Sequence, residues 1–203
     1  TSSAYLFTIS SATPVITWAS PAAITYGTAL SATQLNATST VAGSFVYNPT
    51  NGAVLNAGTN TLNVTLNPTD TNNYTSASNS VSLVVNKAGS TVTVTGATNY
   101  TYNGSALGPT TSTNTGSSGA VTYSYAGTNG TVYAASSSRP TNAGSYTAVA
   151  TLAGDSNYNG ATSSAYLFTI SSATPVITWA SPAAITYGTA LSATQLNATS
   201  TVA

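Results

Sequence analysis

The chain's only carboxylates sit in two short motifs, Asp70-Thr71-Asn72-Asn73-Tyr74 and Asp155-Ser156-Asn157-Tyr158. Each sets one acid ahead of several oxygen-bearing side chains and a tyrosine. Calcium binding is the first chemistry such a cluster suggests, but Ca²⁺ takes roughly 6 to 8 oxygens, usually several of them carboxylate, and each motif supplies a single carboxylate. Turn chemistry fits better: an Asp or Asn side chain accepts hydrogen bonds from nearby backbone N–H groups and closes a turn. The tyrosine is then expected to pack back into the fold in the manner of a tyrosine corner. Asp70 and Asp155 occupy equivalent places in repeated sequence, so they read as copies of one structural feature and not as the facing carboxylate pair of a glycosidase.

The remaining reactive side chains are few. Lys87 and Arg139 are the only cations, and the 203 residues contain no His, Cys or Met. Imidazole acid-base chemistry, thiolate ligation and disulfides are thereby excluded, and no metal site, cofactor or catalysis is expected. Charged residues make up 2% of the chain, against about 25% in an ordinary soluble domain. With a net charge of zero and no basic run, the electrostatic footprint of a nucleic-acid partner is missing. No apolar run reaches the ~18 residues of a membrane span, so no membrane insertion is expected in this segment.

Lys87, in a chain rich in Asn, invites a Lys-Asn isopeptide staple. That chemistry needs a buried Lys beside a protonated carboxyl; Lys87 falls at a module join, so it reads as a solvated surface charge. Trp18 and its copy Trp179 offer sugar-stacking faces, but each shares a strand face with an isoleucine, Ile16 or Ile177, and packing is the stronger reading. Tyr123 and Tyr125 read the same way. Seven Asn-x-Ser/Thr sequons occur, about as many as chance gives in a chain this rich in Asn, Ser and Thr.

These residues are positioned by repeated sequence. Residues 1–42 recur without change as residues 162–203, a period of 161, and internal repetition of this kind marks an array. A weaker echo lies inside the period. Tyr26-Gly27-Thr28-Ala29-Leu30 returns as Tyr102-Asn103-Gly104-Ser105-Ala106-Leu107, Asn56-Ala57-Gly58 returns as Asn142-Ala143-Gly144, and the Asp70 motif returns at Asp155. Two homologous modules therefore alternate, the first at 13–88 and the second at 89–173. Residues 1–12 are expected to be the closing strand of a preceding second-type module, because they duplicate 162–173, and residues 174–203 to open another first-type module. Donor-strand pairing with a neighbouring chain is the alternative use of such a strand.

Leu62, Val64 and Leu66 alternate with Thr61, Asn63 and Thr65, and Val81, Leu83 and Val85 keep the same period of two, as do Tyr166, Phe168 and Ile170. Half-buried antiparallel strands require this alternation. Asn51-Gly52 and Asn129-Gly130 lie between such runs and suit the positive φ angles of tight hairpin turns. There is no 3.6-residue apolar stripe to mark a helix. The fold class is all-β, as tandem antiparallel β-sandwich modules. Their joins are too short to be flexible linkers, so the modules are expected to stack as a rod.

Several stretches carry a family resemblance. TPVITWASPAAITYGTALSATQLNAT, FVYNPTNGAVLNAGTNTLNVTL and DTNNYTSASNSVSLVVNKA resemble bacterial Ig-like repeats, and the run from YNGSALGPT to NAGSYTAVATLAGDSNYNG is similar to the related MBG-type module. The likeness covers essentially the whole chain. It implies Ig-like sandwiches of very large secreted or surface proteins of bacteria, used as spacer or adhesive elements. The expected role is accordingly a non-enzymatic structural segment of an extracellular filament, fibre or surface stalk. Its partners would be neighbouring copies of the same repeat, an association that near-zero net charge favours. The alternative is an adhesin repeat that binds a glycan or matrix ligand through exposed loops, with Arg139 in the 134–141 insertion as the candidate contact.

Overall fold

Alternation of apolar and polar residues decides the elements. Among residues 3–200, which the computed structural model describes, every regular element is a strand. Residues 1–2 and 201–203, the outer ends of the two expected terminal segments, lie outside the described residues. The chain divides into two compact units. The first takes the residues up to Val94 together with Ser112–Thr122 and Ala150–Ser164, and the second takes Thr95–Thr111, Tyr123–Val149 and the residues from Ala165 on. The first unit thus holds the whole 13–88 segment and parts of the 89–173 segment.

The first unit is built on β1 (Ile16–Thr17), β2 (Ile24–Thr25), β3 (Thr38–Ser39), β4 (Gly43–Asn48), β5 (Gly58–Pro68) and β6 (Ala77–Asn86). One sheet has the order β2-β6-β5-β4 and a second pairs β1 with β3. On β5 the side chains of Leu62, Val64 and Leu66 are buried, while Thr61 and Asn63 on the other face are exposed. The register sets Leu62 opposite Val81 and Leu66 opposite Phe45. From the second sheet Ile16 and Trp18 cover the same core, which makes the arrangement sandwich-like. Each apolar side chain so enclosed contributes about 1.5–3 kcal/mol. The Trp18 ring stands edge-on to Tyr47 at 5.4 Å, and its indole N–H donates to the Gln34 carbonyl at 3.0 Å. Gln34 is held in turn by its own side chain, whose Oε1 accepts from the Ser31 N–H and the Ser31 hydroxyl, both at 3.1 Å. This Ser-x-x-Gln pairing is a capping box spent on a single turn.

The later elements are β7 (Thr91–Thr95), β8 (Asn99–Thr101), β9 (Thr111–Thr115), β10 (Val121–Thr128), β11 (Gly144–Leu152), β12 (Ala161–Thr162), β13 (Tyr166–Ser171), β14 (Ile177–Thr178) and β15 (Thr199–Ser200). In the first unit β12 pairs antiparallel with the end of β11, Thr151 facing Thr162. In the second unit β13 lies between β11 and β8. It runs antiparallel to β11, with Phe168 opposite Tyr146, and parallel to β8, with Ile170 opposite Tyr100. Tyr125, Tyr146, Phe168 and Ile170 are buried there. The buried Tyr125 hydroxyl donates to the Pro109 carbonyl at 2.7 Å, so its burial leaves no unpaired donor.

Each unit contains the same parallel pairing. In the first, Ile24 of β2 lies opposite Val85 of β6, and the Tyr26 N–H donates to the Asn86 carbonyl at 2.8 Å. In the second, Asn99 of β8 lies opposite Thr169 of β13, and the Tyr102 N–H donates to the Ser171 carbonyl at 2.9 Å. The chain then turns sharply at Gly27 (φ 93°) or Gly104 (φ 77°), angles that a side chain would resist.

Repeated sequence separates local from tertiary causes. Residues 13–39 and 174–200 are identical, and both form the same two-stranded pairing, Ile16 with Ser39 and Ile177 with Ser200. Both make the same indole bond, Trp18 to Gln34 and Trp179 to Gln195. Trp18 is nevertheless 7% exposed and Trp179 55%, because β4, β5 and β6 cover only the first copy. In the 203-residue chain, Trp18→Ala is expected to cost about 3–5 kcal/mol of unfolding free energy, whereas Trp179→Ala should fall within about 0.5 kcal/mol of the parent. Denaturant melts of the two variants measure the difference directly.

Candidate functional site: the turn that receives the chain

Asp155 organises a turn with both carboxylate oxygens. Oδ1 accepts the backbone N–H groups of Asn157 and Tyr158, each at 2.9 Å. Oδ2 accepts the Ser118 N–H at 2.9 Å and the Ser118 hydroxyl at 3.3 Å. Four donors aimed at one carboxylate favour its charged form, and the Asp155 pKa is lowered to about 2, most of all by the Ser118 N–H. Asp70 builds the homologous turn more locally. Its Oδ1 accepts the N–H groups of Asn72 and Asn73 at 3.2 and 3.1 Å, and its Oδ2 accepts the Asn73 side-chain amide at 2.7 Å. That amide is the main reason its pKa is also lowered.

Each turn presents its backbone to an alanine that lies two residues beyond the end of a closing strand or its sequence copy. The Ala88 N–H donates to the Asn157 carbonyl at 3.0 Å and the Asn159 N–H donates back to the Ala88 carbonyl at 2.8 Å, a parallel bridge centred on Tyr158. At the other turn the Ala12 N–H donates to the Asn73 carbonyl at 2.8 Å and the Thr75 N–H donates to the Ala12 carbonyl at 2.9 Å, centred on Tyr74. The same two-bond clasp therefore occurs twice, ahead of the 13–88 segment and ahead of the 89–173 segment.

Within the first unit the second clasp is reinforced by side chains. Asn157 reaches the Asn56-Ala57 loop: its Oδ1 accepts the Ala57 N–H at 2.9 Å and its Nδ2 donates to Asn56 Oδ1 at 3.1 Å. The Tyr158 ring stands edge-on to Tyr26, with centroids 5.3 Å apart at 78°. Tyr158 thus spends its ring on the preceding segment. Lys87 Nζ donates to the Asp155 carbonyl at 2.6 Å. The atom that accepts from this ammonium is a backbone oxygen, so Lys87 pins the turn.

The two Asn-Gly pairs diverge. Asn129 and Gly130 both have positive φ, 51° and 88°, and the Thr131 N–H closes onto the Thr128 carbonyl at 3.0 Å, which is the two-residue hairpin that such angles suit. At Asn51-Gly52 only Gly52 has positive φ, 84°. The chain there bends toward Leu30, whose carbonyl accepts the Gly52 N–H and whose N–H donates to the Ala53 carbonyl, each at 2.8 Å. Arg139 is exposed on the 134–141 loop, next to the buried Pro140, whose carbonyl accepts the Leu107 N–H. An open depression of about 470 Å³ lies among Leu35, Phe45, Tyr47 and Asn51, with no titratable acid or base but the Tyr47 phenol.

Ser118, Asn56 and Gln34 escape a reading of the sequence because the first two act on partners 37 and 101 residues away, and the capping box that signals Gln34 usually announces a helix. No protein-family model matches the chain, and no curated protein matches it.

The sign of the pH dependence follows from the lowered acids. A carboxylate whose folded pKa is about 2 against about 3.9 unfolded stabilises the fold above pH ~4 and loses that contribution as the pH falls toward 2. Melting temperature should therefore be flat from about pH 5 to 8 and drop between about pH 4 and 2, with Asp155→Asn flattening the acid limb. A thermal melt series across pH checks both limbs.

Proposed function

We propose that this chain is a non-enzymatic structural segment of a long extracellular tandem-repeat protein, a filament, fibre or surface stalk. Its Ig-like sandwich modules, 13–88 and 89–173, would be stacked as a rod, with residues 1–12 and 174–203 belonging to the modules on either side. The single observation that carries this reading is the repeated clasp. Ala12 on the Asp70 turn and Ala88 on the Asp155 turn use the same pair of backbone bonds, and a joint that recurs with the sequence is what an array needs and a solitary binding domain does not. Short joins tied by backbone bonds resist bending, unlike flexible linkers. The resemblance to bacterial Ig-like and MBG-type repeats and the near absence of charge support the same role, with neighbouring copies of the repeat as partners and the cell surface as the location.

A second reading, an adhesin repeat, draws on one feature. A cleft of about 380 Å³ lined by Thr131, Tyr133, Asn142 and Tyr146 adjoins the loop that carries Arg139, and a tyrosine beside amide and hydroxyl groups suits a sugar face. Electron microscopy of the native protein separates the two. Straight filaments with an axial repeat of about 70–90 Å per period are expected for stacked modules, since strands of about 17–20 Å plus turns give each module about 35–45 Å. Freely bending strings of beads, together with glycan binding that Arg139→Ala abolishes, would favour the adhesin.

A further inference from the structure

We propose that the free edge of β4 is a docking edge for β4 of a second copy of this chain, so that two 13–88 modules pair antiparallel about a two-fold axis at Phe45. β4 is the last strand of its sheet and is paired with β5 on one side only. The Thr69 N–H donates to the Ala42 carbonyl, and the bonds of an antiparallel ladder alternate from residue to residue. Ser44, Val46 and Asn48 therefore bond to β5, while Gly43, Phe45 and Tyr47 turn their N–H and C=O groups outward. No backbone partner meets those outward groups among the described residues. A depression of about 470 Å³ touches Phe45, Val46 and Tyr47 together. Successive side chains of a strand face opposite sides, so a hollow that reaches all three runs along the edge and not across one face.

The 89–173 module shows what such an edge takes. Phe45-Val46-Tyr47 is echoed by Tyr123-Ser124-Tyr125, each the same distance ahead of an Asn-Gly pair. There β10 is likewise the last strand of its sheet, but the 134–141 insertion lies against it. The Tyr125 N–H donates to the Ser136 carbonyl at 2.8 Å and the Ser136 N–H donates back to the Tyr125 carbonyl at 3.0 Å, an antiparallel bridge. Just before the insertion, the Tyr133 carbonyl accepts the Gly127 N–H at 2.9 Å. Tyr47, the counterpart of Tyr125, turns the same pair of groups outward and has no insertion to receive them. An extended antiparallel segment is thus the occupant that this edge fits.

A second β4 meets that description at every position. Sheet edges are commonly guarded by charge, proline or a bulge, and Gly43–Asn48 carries neither charge nor proline. Two copies in antiparallel register set Phe45 opposite Phe45 and Tyr47 opposite Gly43 as the pairs that exchange bonds, with Ser44 opposite Val46 in the closer pairs between them. No like charges face each other, an aromatic pair lies at the centre, and Gly43 has no side chain to oppose the Tyr47 ring. On the outer face the pairing covers Val46, which is 56% exposed. Such a contact uses the same patch on both copies and closes as a dimer. One short edge is a weak contact, but the 161-residue repeat presents it once per period, and an array multiplies it through avidity. Edge pairing sets chains side by side, where the role proposed above sets modules end to end, so either can fail without the other.

Sedimentation velocity of the full 203-residue chain over a dilution series tests this, with two surface variants. The parent should pass from monomer to dimer as its concentration rises to about 1 mM, the range of a weak single-edge contact. Ser44→Lys and Val46→Glu each bring like charges together across the two-fold axis and should each raise the dissociation constant about tenfold or more. Both side chains are exposed, so the circular dichroism of each variant should match the parent's. A one-to-one mixture of the two variants sets the new lysine opposite the new glutamate, and should recover the parent's affinity in a dimer that weakens as salt is added. A parent that stays monomeric throughout the series would overturn the proposal. So would variants that associate as the parent does, or a mixture that associates no better than its components, since either result places the contact elsewhere on the chain.

Discussion

A carboxylate that gathers several N–H donors does two things at once: it fixes the shape of its own turn, and it frees the turn's remaining backbone groups to bond elsewhere. At Asp155 the donors are Asn157, Tyr158 and Ser118; the groups left over, the Asn157 carbonyl and the Asn159 N–H, hold Ala88. The path from β6 into β7 depends on that hold. Once Ala88 is seated, Lys87 reaches the Asp155 carbonyl, Asn157 reaches Asn56 and Ala57, and Tyr158 meets Tyr26. Asp70, Asp155 and Lys87, three of the chain's four charged side chains, are thus spent on positioning backbone.

The rest of the fold is carried by apolar alternation and ladder hydrogen bonds, and the repeated sequence shows how far each acts alone. The Ser31-Gln34 capping box and its copy at Ser192-Gln195 form the same bonds whether or not a core covers them. Local bonds therefore set these turns without tertiary help. Burial does not follow from the same letters, as the Trp18 and Trp179 pair demonstrates. Residues 5–10 and β13 differ even in secondary structure, because a strand between two neighbours needs both of them present.

Legibility in the sequence divides along the same line. The all-β class was readable from the period of two at Leu62, Val64 and Leu66, since alternation on a pleated strand is a local rule. Bonds from Asp70 to Asn72 and Asn73 are equally local. The Ser118 donors to Asp155 are not, and neither is the Asn157 to Asn56 clasp, which only folding brings together. Asn129-Gly130 and Asn51-Gly52 carry the same two letters yet differ, because Leu30 draws the second pair into a bridge that no short window contains. The division into two compact units likewise follows contacts in space, and so it does not coincide with the repeat boundaries read from the letters.

The claim on which the joint rests is that the turn clasps the incoming chain as firmly as strands hold one another. Native-state amide hydrogen exchange resolves this residue by residue. If the clasp is part of the cooperative fold, the Ala88, Asn159 and Ala57 amides exchange as slowly as Val64 in the middle of β5. Exchange of these three at the rate of an unstructured peptide, while Val64 stays protected, would contradict it and leave the two segments joined by nothing more than a loose linker.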